Sequence, residues 1–164
     1  MKTSKYLGLT AIICMTVVSS TIRHSSAADP VMMVVTSPRE VKWGPAPPSL
    51  PPGAQLAVVS GDASKAAATY ALRLKLPDGY VFSPHWHPQD VNVTVLSGGL
   101  GIGTGDKFDK SKGQLVKSGG YILEPREMHH YAWAQGATVI EVYGEGPFGM
   151  NYVNPSDDPQ TRQR

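Results

Sequence analysis

Four histidines fall in two short clusters of the sequence, and their type and spacing suit metal chemistry. His85 and His87 flank Trp86, and His129 and His130 are adjacent. On a β-strand, residues i and i+2 point to the same face, so His85 and His87 can present two imidazoles together. A third imidazole from another strand would complete a facial set around a divalent transition metal. The alternative is that these histidines only pack or cap turns, because an isolated His-x-His pair is a weak signal.

Short β-like runs separated by turn signals must position these histidines. Gly and Pro together make up 31 of the 164 residues, which favours turns over long helices, and no helix of normal length is evident. The pattern predicts an all-β sandwich or barrel. The expected strands are Leu56–Val59, Ala67–Leu76, Val81–His85, Val91–Leu96, Leu100–Gly103, Gln114–Val116, Tyr121–Leu123, His129–Trp133, Val139–Tyr143 and Phe148–Val153.

The first 28 residues have the order of a secretory signal peptide. Lys2 and Lys5 precede an apolar run over residues 7–18, and small residues end the segment. The run is too short to span a bilayer comfortably, so no membrane contact is expected once the signal is removed. We therefore expect a periplasmic or secreted protein, cleaved after Ala27 or Ala28.

Removal of this leader changes the charge and the cysteine content. The leader carries 3 of the 15 basic residues and the single cysteine, Cys14, which leaves 12 basic residues against 13 acidic ones. The mature chain therefore offers no basic patch for nucleic acid. It also has no thiol, which excludes disulfides and thiolate chemistry. An ordinary hydrophobic core must stabilise it, and a chain of about 136 residues is long enough to supply one.

The composition divides the mature chain into three parts. A Pro-rich arm is expected over residues 29–54, a barrel over 55–153 and a polar tail over 154–164. Prolines lack an amide donor and cannot lie in a central strand, so the arm is expected to run over the barrel surface. Within it, Val31–Val35 is a candidate edge strand.

The first histidine segment resembles the first cupin motif, G-x5-H-x-H-x3,4-E-x6-G. Gly79 is followed after five residues by His85, and His87 comes two residues later. Gly98 stands where the motif closes. The flanking prolines in Pro-His-Trp-His-Pro are similar to those of small single-domain bacterial cupins.

The second segment resembles the second cupin motif, G-x5-P-x-G-x2-H-x3-N. Gly119 is followed after five residues by Pro125, and His130 falls at the ligand position. The resemblance implies an RmlC-like double-stranded β-helix, which is a jelly-roll barrel. It also implies a divalent metal held by His85, His87 and His130, a small-molecule ligand or substrate, and a homodimer formed through the sheets.

The chain departs from the first motif at its carboxylate. The family's glutamate would fall at Val91 or, with the longer spacing, at Asn92. Strand alternation places Val91 on the inward face with His87, so Val91 is expected in the carboxylate's place, and Asn92 would need a bulge to reach the site. Glu124 and Glu127 are expected at the site only if the loop ahead of the second histidine pair allows it.

The second motif departs at its glycine, which is Glu127 here, and at its asparagine, which is Ala134. Alternation places Met128 on the side of His130 and His129 on the opposite side, so His129 is expected beside the ligands or at the surface. The residues expected to support the metal ligands or line the pocket are Val91, Asn92, Glu127, Met128 and His129. No catalytic residue is assigned.

Three neutral imidazoles would leave the 2+ charge of a metal uncompensated, which favours an anionic or enolisable oxygen ligand such as a phenolate or enolate. Imidazole suits Fe, Ni, Cu and Zn, and Mn is also open. Without the motif glutamate there is no obvious general base, which favours oxygenation over isomerase or lyase chemistry. The leading hypothesis is an exported, metal-dependent enzyme of dioxygenase type. The alternatives are a non-catalytic module that binds a small ligand or metal, and a purely structural cupin.

Overall fold

The computed structural model describes residues 33–161, and the predicted signal peptide lies outside them. Every strand pairing among the described residues is antiparallel, which confirms the prediction of an all-β fold. The strands are β1 (Gly44–Pro45), β2 (Gln55–Gly61), β3 (Thr69–Leu76), β4 (Val81–Trp86), β5 (Val91–Thr104), β6 (Gln114–Lys117), β7 (Tyr121–Glu124), β8 (His130–Glu145) and β9 (Asn151–Tyr152).

Two long strands, β5 and β8, organise the barrel because each belongs to both of its halves. The first part of β5 pairs with β7 and with the second part of β8, and its last six residues pair with β6 and the first part of β8. Along its other edge, the second part of β8 pairs with β3 and its first part pairs with β4. The sheet therefore curls into a jelly roll, with β1, β2, β3 and β7 in one half and β4, β6 and β9 in the other.

Both long strands bend at a glycine with left-handed backbone. Gly98 and Gly136 each have a φ of 75°, which residues with a Cβ atom rarely adopt. Thr138 joins the two bends, since its hydroxyl donates to the Gly99 carbonyl at 2.9 Å and accepts from the Gly99 amide at 3.2 Å. The register of the β5–β8 ladder shifts at this corner. These contacts fix the angle between the two halves of the barrel.

The core follows the period-2 pattern of the strands. On β3, burial alternates along the strand, as the sequence predicts for a strand with one face in the core. The first part of β5 alternates in the same way, with its valines inward. The buried side chains of these strands and of β8 that line the interior are Leu72, Leu74, Val91, Val93, Ile140 and Val142.

Two pairs of predicted strands are in fact single strands. Val91–Leu96 and Leu100–Gly103 join as β5, while His129–Trp133 and Val139–Tyr143 join as β8. The glycines between the members of each pair resemble hairpin turns in the sequence. In the structure they form bulged corners, because the pairing of β5 with β8 continues across them with only a shift of register.

The Pro-rich arm packs against the barrel through several contacts. The described part of the candidate strand Val31–Val35 is not a strand, whereas β1 pairs with the start of β2. Leu50 is buried in the core, and the Pro51 carbonyl accepts a hydrogen bond from the Tyr80 hydroxyl at 2.5 Å. The arm thus closes one side of the barrel interior.

The C-terminal part of the barrel is shorter than predicted. β9 covers only two residues of the expected strand Phe148–Val153, because only these two pair with β4. The polar tail then begins with a 3-10 turn over Pro155–Asp157, capped by the Asn154 side chain. Among residues 33–161, no helix has the length and apolar character needed to cross a membrane.

Candidate metal centre

Two adjacent strands bring three histidines to one point of the barrel interior. His85, near the end of β4, and His130, the first residue of β8, are direct partners in the antiparallel ladder. His87 lies just beyond the end of β4, and its ring contacts both of the others. The structure therefore brings together the three histidines that the sequence and the cupin resemblance single out.

The three imidazoles are close and shielded from solvent. The ring centroids of His85 and His130 are 4.2 Å apart, and His87 lies 5.0 Å from the first and 5.2 Å from the second. One nitrogen from each ring lies within 4.8 Å of the other two. The residues are 4%, 4% and 1% exposed, so the nitrogens meet inside the protein. One cation can bind all three at this spacing.

Backbone carbonyl groups fix the orientation and tautomer of each ring. A carbonyl oxygen only accepts hydrogen bonds, so each Nδ1 beside one must carry a proton, and in the neutral imidazole Nε2 then carries the lone pair. This is the arrangement that metal-ligating histidines use. The Nδ1–carbonyl pairs are His85 with Ser83 at 2.7 Å, His87 with Gly149 at 2.6 Å and His130 with Met128 at 2.9 Å.

The surroundings of the cluster favour neutral imidazoles. Burial holds the pKa of His85 well below its ordinary value, and the neighbouring imidazoles of His130 and His87 lower it further. Burial also lowers the pKa of His130, although the Glu124 carboxylate acts in the opposite direction. A neutral imidazole is the form that binds a metal, so at neutral pH these two rings are in the ligating state.

One nitrogen of the cluster has no hydrogen-bond partner among the described residues. The Nε2 atom of His130 is buried and makes no hydrogen bond within the described residues. A buried polar atom without a partner is costly, and such atoms in native proteins call for an explanation. A metal ion bound by the three histidines would supply the missing partner. The donor set and its geometry therefore fit a divalent transition metal.

A buried carboxylate, Glu124, lies beside the histidines. Glu124 is the last residue of β7 and is 6% exposed. Its Oε2 atom is 3.4 Å from Nε2 of His87 and 3.6 Å from Nε2 of His130. The sequence predicted Glu124 at the site only if the loop ahead of the second histidine pair allowed it, and the structure places Glu124 there. The centre thus contains three imidazoles and one carboxylate.

Of the two positions where the motif glutamate would fall, only one faces the site. Val91 is buried, lines the interior cavity and is the register partner of Glu124. Asn92 points to the outer face, where its amide donates to the Tyr143 carbonyl at 3.2 Å and its side-chain oxygen accepts from the Tyr121 hydroxyl at 2.6 Å. Asn92 therefore joins strands and does not line the pocket, because β5 has no bulge at this position.

The remaining predicted residues surround His130 but do not enter the cluster. Glu127 is exposed, and its backbone φ of 62° is the left-handed conformation suited to the glycine of the cupin motif. Met128 contributes through its carbonyl, which orients His130. His129 points outward and pairs with Asp106 at 2.6 Å. Alternation along the chain explains why adjacent histidines have different surroundings.

The cluster opens into a large apolar cavity of about 720 Å³. His85, His87 and Glu124 contribute polar groups to its wall, and Asp62, Ser49 and Ser64 also lie along it. Such a volume is in the range of small-molecule sites, where apolar walls bind the body of a ligand and a few polar groups orient it. The apolar side chains of the wall include Leu72, Leu74, Phe82, Val93, Leu100, Ala132, Ile140 and Phe148.

A model of a known protein family matches most of the chain. The model of the ChrR cupin-like domain matches residues 31–149, which is more than half of the chain. No curated protein matches the chain.

Solved structures share the fold at low sequence identity. The polyketide cyclase RemF from Streptomyces resistomycificus is 19% identical, with a TM-score of 0.60, over 81% of this chain and 94% of that one. A candidate acetylacetone dioxygenase from Methylibium petroleiphilum PM1 is 15% identical, with a TM-score of 0.60, over 81% and 89%. An RmlC-like cupin from Shewanella frigidimarina NCIMB 400 is 10% identical, with a TM-score of 0.53, over 70% and 93%. These likenesses confirm the predicted jelly-roll fold.

Proposed function

The chain belongs to the ChrR cupin-like domain family, and from this premise we propose that it is a metal-dependent enzyme of dioxygenase type. In this proposal His85, His87 and His130 bind a divalent transition metal, which is Fe, Ni, Cu, Zn or Mn. The substrate is a small molecule with an enolisable or phenolic oxygen. The observation that carries the proposal is that His85, His87 and His130 each offer one ring nitrogen, all within 4.8 Å of one another, beside an apolar cavity.

The shape of the cavity supports this class of substrate. An apolar molecule with one oxygen-bearing end can place its body among side chains such as Leu72, Leu74 and Phe82 and its oxygen atom beside the histidines. One structural neighbour is described as a candidate acetylacetone dioxygenase, and a 1,3-diketone is an enolisable molecule of this kind. That likeness supports the fold alone, so the choice of substrate class rests on the cavity.

Residues of the chain itself orient the three imidazole rings and exclude water from the site. A bound metal would act as a Lewis acid toward the substrate oxygen. Fe, Mn, Ni or Cu would also carry electrons between substrate and O₂, both atoms of which enter the product, whereas Zn²⁺ would act as a Lewis acid only. The carbonyl groups of Ser83, Gly149 and Met128 hold the three rings in the ligating orientation. The apolar wall keeps water away from the reacting end of the substrate.

Oxygen uptake by metal-loaded protein tests this proposal. The mature protein is reconstituted separately with each of the five metals and mixed with acetylacetone, flavonols and phenols in an oxygen electrode. We expect uptake that requires both one metal and one substrate class, and its loss in His85→Ala. The matched control is His129→Ala, because His129 lies outside the cluster. No uptake with any combination would contradict the enzymatic proposal.

A second candidate function is a non-catalytic module that binds a small ligand or metal. The observation that favours it is that the inner wall is mostly apolar, with few groups suited to proton transfer. This candidate predicts that a substrate raises the melting temperature of metal-loaded protein without any oxygen uptake. Measuring both quantities on the same samples separates the two functions.

We also propose that the protein is exported to the periplasm or secreted and forms a homodimer. The order of charge, apolar run and small residues in the first 28 positions supports export. Expression of the full chain in a bacterium should yield extracytoplasmic protein whose first residue is Ala28 or Asp29. Cytoplasmic protein with an intact N-terminus would contradict export. Sedimentation of the purified protein tests the dimer, which only the cupin resemblance implies.

A further inference from the structure

We propose that Glu124 is the fourth ligand of the metal and that it supplies, from β7, the carboxylate that position 91 lacks. This inference rests on the proposed metal function. The motif glutamate of β5 is replaced by Val91, and the residue directly opposite Val91 in the β5–β7 ladder is Glu124. The carboxylate of Glu124 thus lies on the strand next to the motif position, in the same sheet.

The register of these two strands makes the exchange geometrically feasible. Directly opposed residues of an antiparallel pair have Cβ atoms about 4.5–5.5 Å apart and point to the same face of the sheet. Both residues are buried, at 1% for Val91 and 6% for Glu124, and both line the cavity. A glutamate at either position therefore extends into the same space. From position 124 its Oε2 atom comes within 3.6 Å of two Nε2 atoms.

The chemistry of the four groups suits a cation between them. In the neutral form, with Nδ1 donating to a carbonyl group, His87 and His130 each present a lone pair at Nε2. An ionised carboxylate is also only an acceptor, so with neutral rings the contacts of Glu124 at 3.4 and 3.6 Å would join acceptors to acceptors. A buried charge without an opposite charge is unfavourable. A divalent metal at the centre would bind all four groups, and its 2+ charge together with one carboxylate would give a net charge of +1.

The competing interpretation is a structural ion pair. If His87 carried a second proton, Glu124 would pair with it at 3.4 Å and would have no role in metal binding. The two interpretations differ in what removal of the carboxylate does to metal affinity. They also differ in whether a carboxylate restored at position 91 recovers that affinity.

Binding of Co²⁺ to purified mature protein tests the proposal, with affinity measured by competition with a chelating dye and ligand geometry by visible absorption. We expect Glu124→Gln to weaken Co²⁺ binding on the order of 100-fold and to change the absorption spectrum, since even partners outside the ligand shell are worth 10–100-fold. The double variant Val91→Glu with Glu124→Val should recover affinity to within about tenfold. The exposed Glu145→Gln removes the same charge from β8 and should bind as the unsubstituted protein does.

The outcomes distinguish a failure of the Glu124 proposal from a failure of the metal function as a whole. If the unsubstituted protein binds Co²⁺ and Glu124→Gln binds it equally well with the same spectrum, Glu124 is not a ligand, although the three-histidine centre stands. If the unsubstituted protein binds neither Co²⁺ nor Zn²⁺, the metal function and this inference are both wrong. Circular dichroism of each variant establishes that it is folded. If Glu124→Gln is unfolded, the double variant decides, and failure to recover affinity there overturns the inference.

Discussion

His85 and His130 are direct cross-strand partners, with ring centroids 4.2 Å apart, whereas the adjacent His129 faces outward toward Asp106. His129 and His130 are therefore expected to differ in their contribution to metal binding. We expect His130→Ala to abolish stoichiometric metal binding and His129→Ala to retain it. Elemental analysis after dialysis against excess Zn²⁺ measures both. Stoichiometric metal binding that persists in His130→Ala would show that the metal lies elsewhere, and loss in His129→Ala would contradict its place outside the cluster.

The buried histidines should make the metal-free protein sensitive to mild acid. Because burial holds the pKa of His85 well below 6.5 and lowers that of His130, the unfolded chain binds more protons than the native state as the pH falls below about 6.5. The free energy of unfolding should therefore fall between about pH 7 and 5.5. Urea unfolding of chelator-treated protein across this range measures it. His85→Gln should have a shallower slope, and stability that is constant or rises on acidification would contradict the prediction.

The wall of the cavity should control which ligands enter. Ala132 lies on β8 two residues after His130 and lines the cavity from the same face. We expect Ala132→Leu to exclude the bulkier ligands of a series of apolar diketones while Zn²⁺ binding is retained, at a cost of about 1–3 kcal/mol in stability. Thermal shifts across the series measure the effect. Unchanged binding of every ligand would place the ligand site outside this cavity.

The face opposite the cavity depends on glycines packed under aromatic rings. A Cβ atom at Gly101 would overlap the indole of Trp133, which is the register partner of Gly101 on β8. Gly101→Ala should therefore lower the free energy of unfolding by about 1–3 kcal/mol. Gly44→Ala is the control, since a Cβ atom there meets nothing within 4 Å. The midpoints of urea unfolding measure the stability of the two variants. Similar midpoints would contradict the packing of Gly101 against Trp133.

The histidine cluster was predictable because its determinants are local. Strand alternation places His85 and His87 on one face, and the motif spacing selects His130 over His129. The structure adds the register between β4 and β8, which places His85 opposite His130. Periodicity alone does not specify such long-range pairing.

The position of Glu124 was only conditionally predictable, because three successive apolar residues precede it and leave the inward face of β7 undefined. In the structure Tyr121 and Leu123 are 54% and 50% exposed, and Ile122 and Glu124 face the interior. Only the pairing of β7 with β5 decides this orientation. The continuity of β5 and β8 through their corners was missed for a similar reason, since bulges depend on the partner strand.

Diffraction from crystals of native-expressed protein, recorded at the absorption edges of Mn, Fe, Ni, Cu and Zn, shows whether the three histidines bind a metal. We expect one anomalous peak per chain, within about 2.0–2.3 Å of the Nε2 atoms of His85, His87 and His130. A peak at another site, such as His129 and Asp106, or no peak after metal reconstitution, would contradict it.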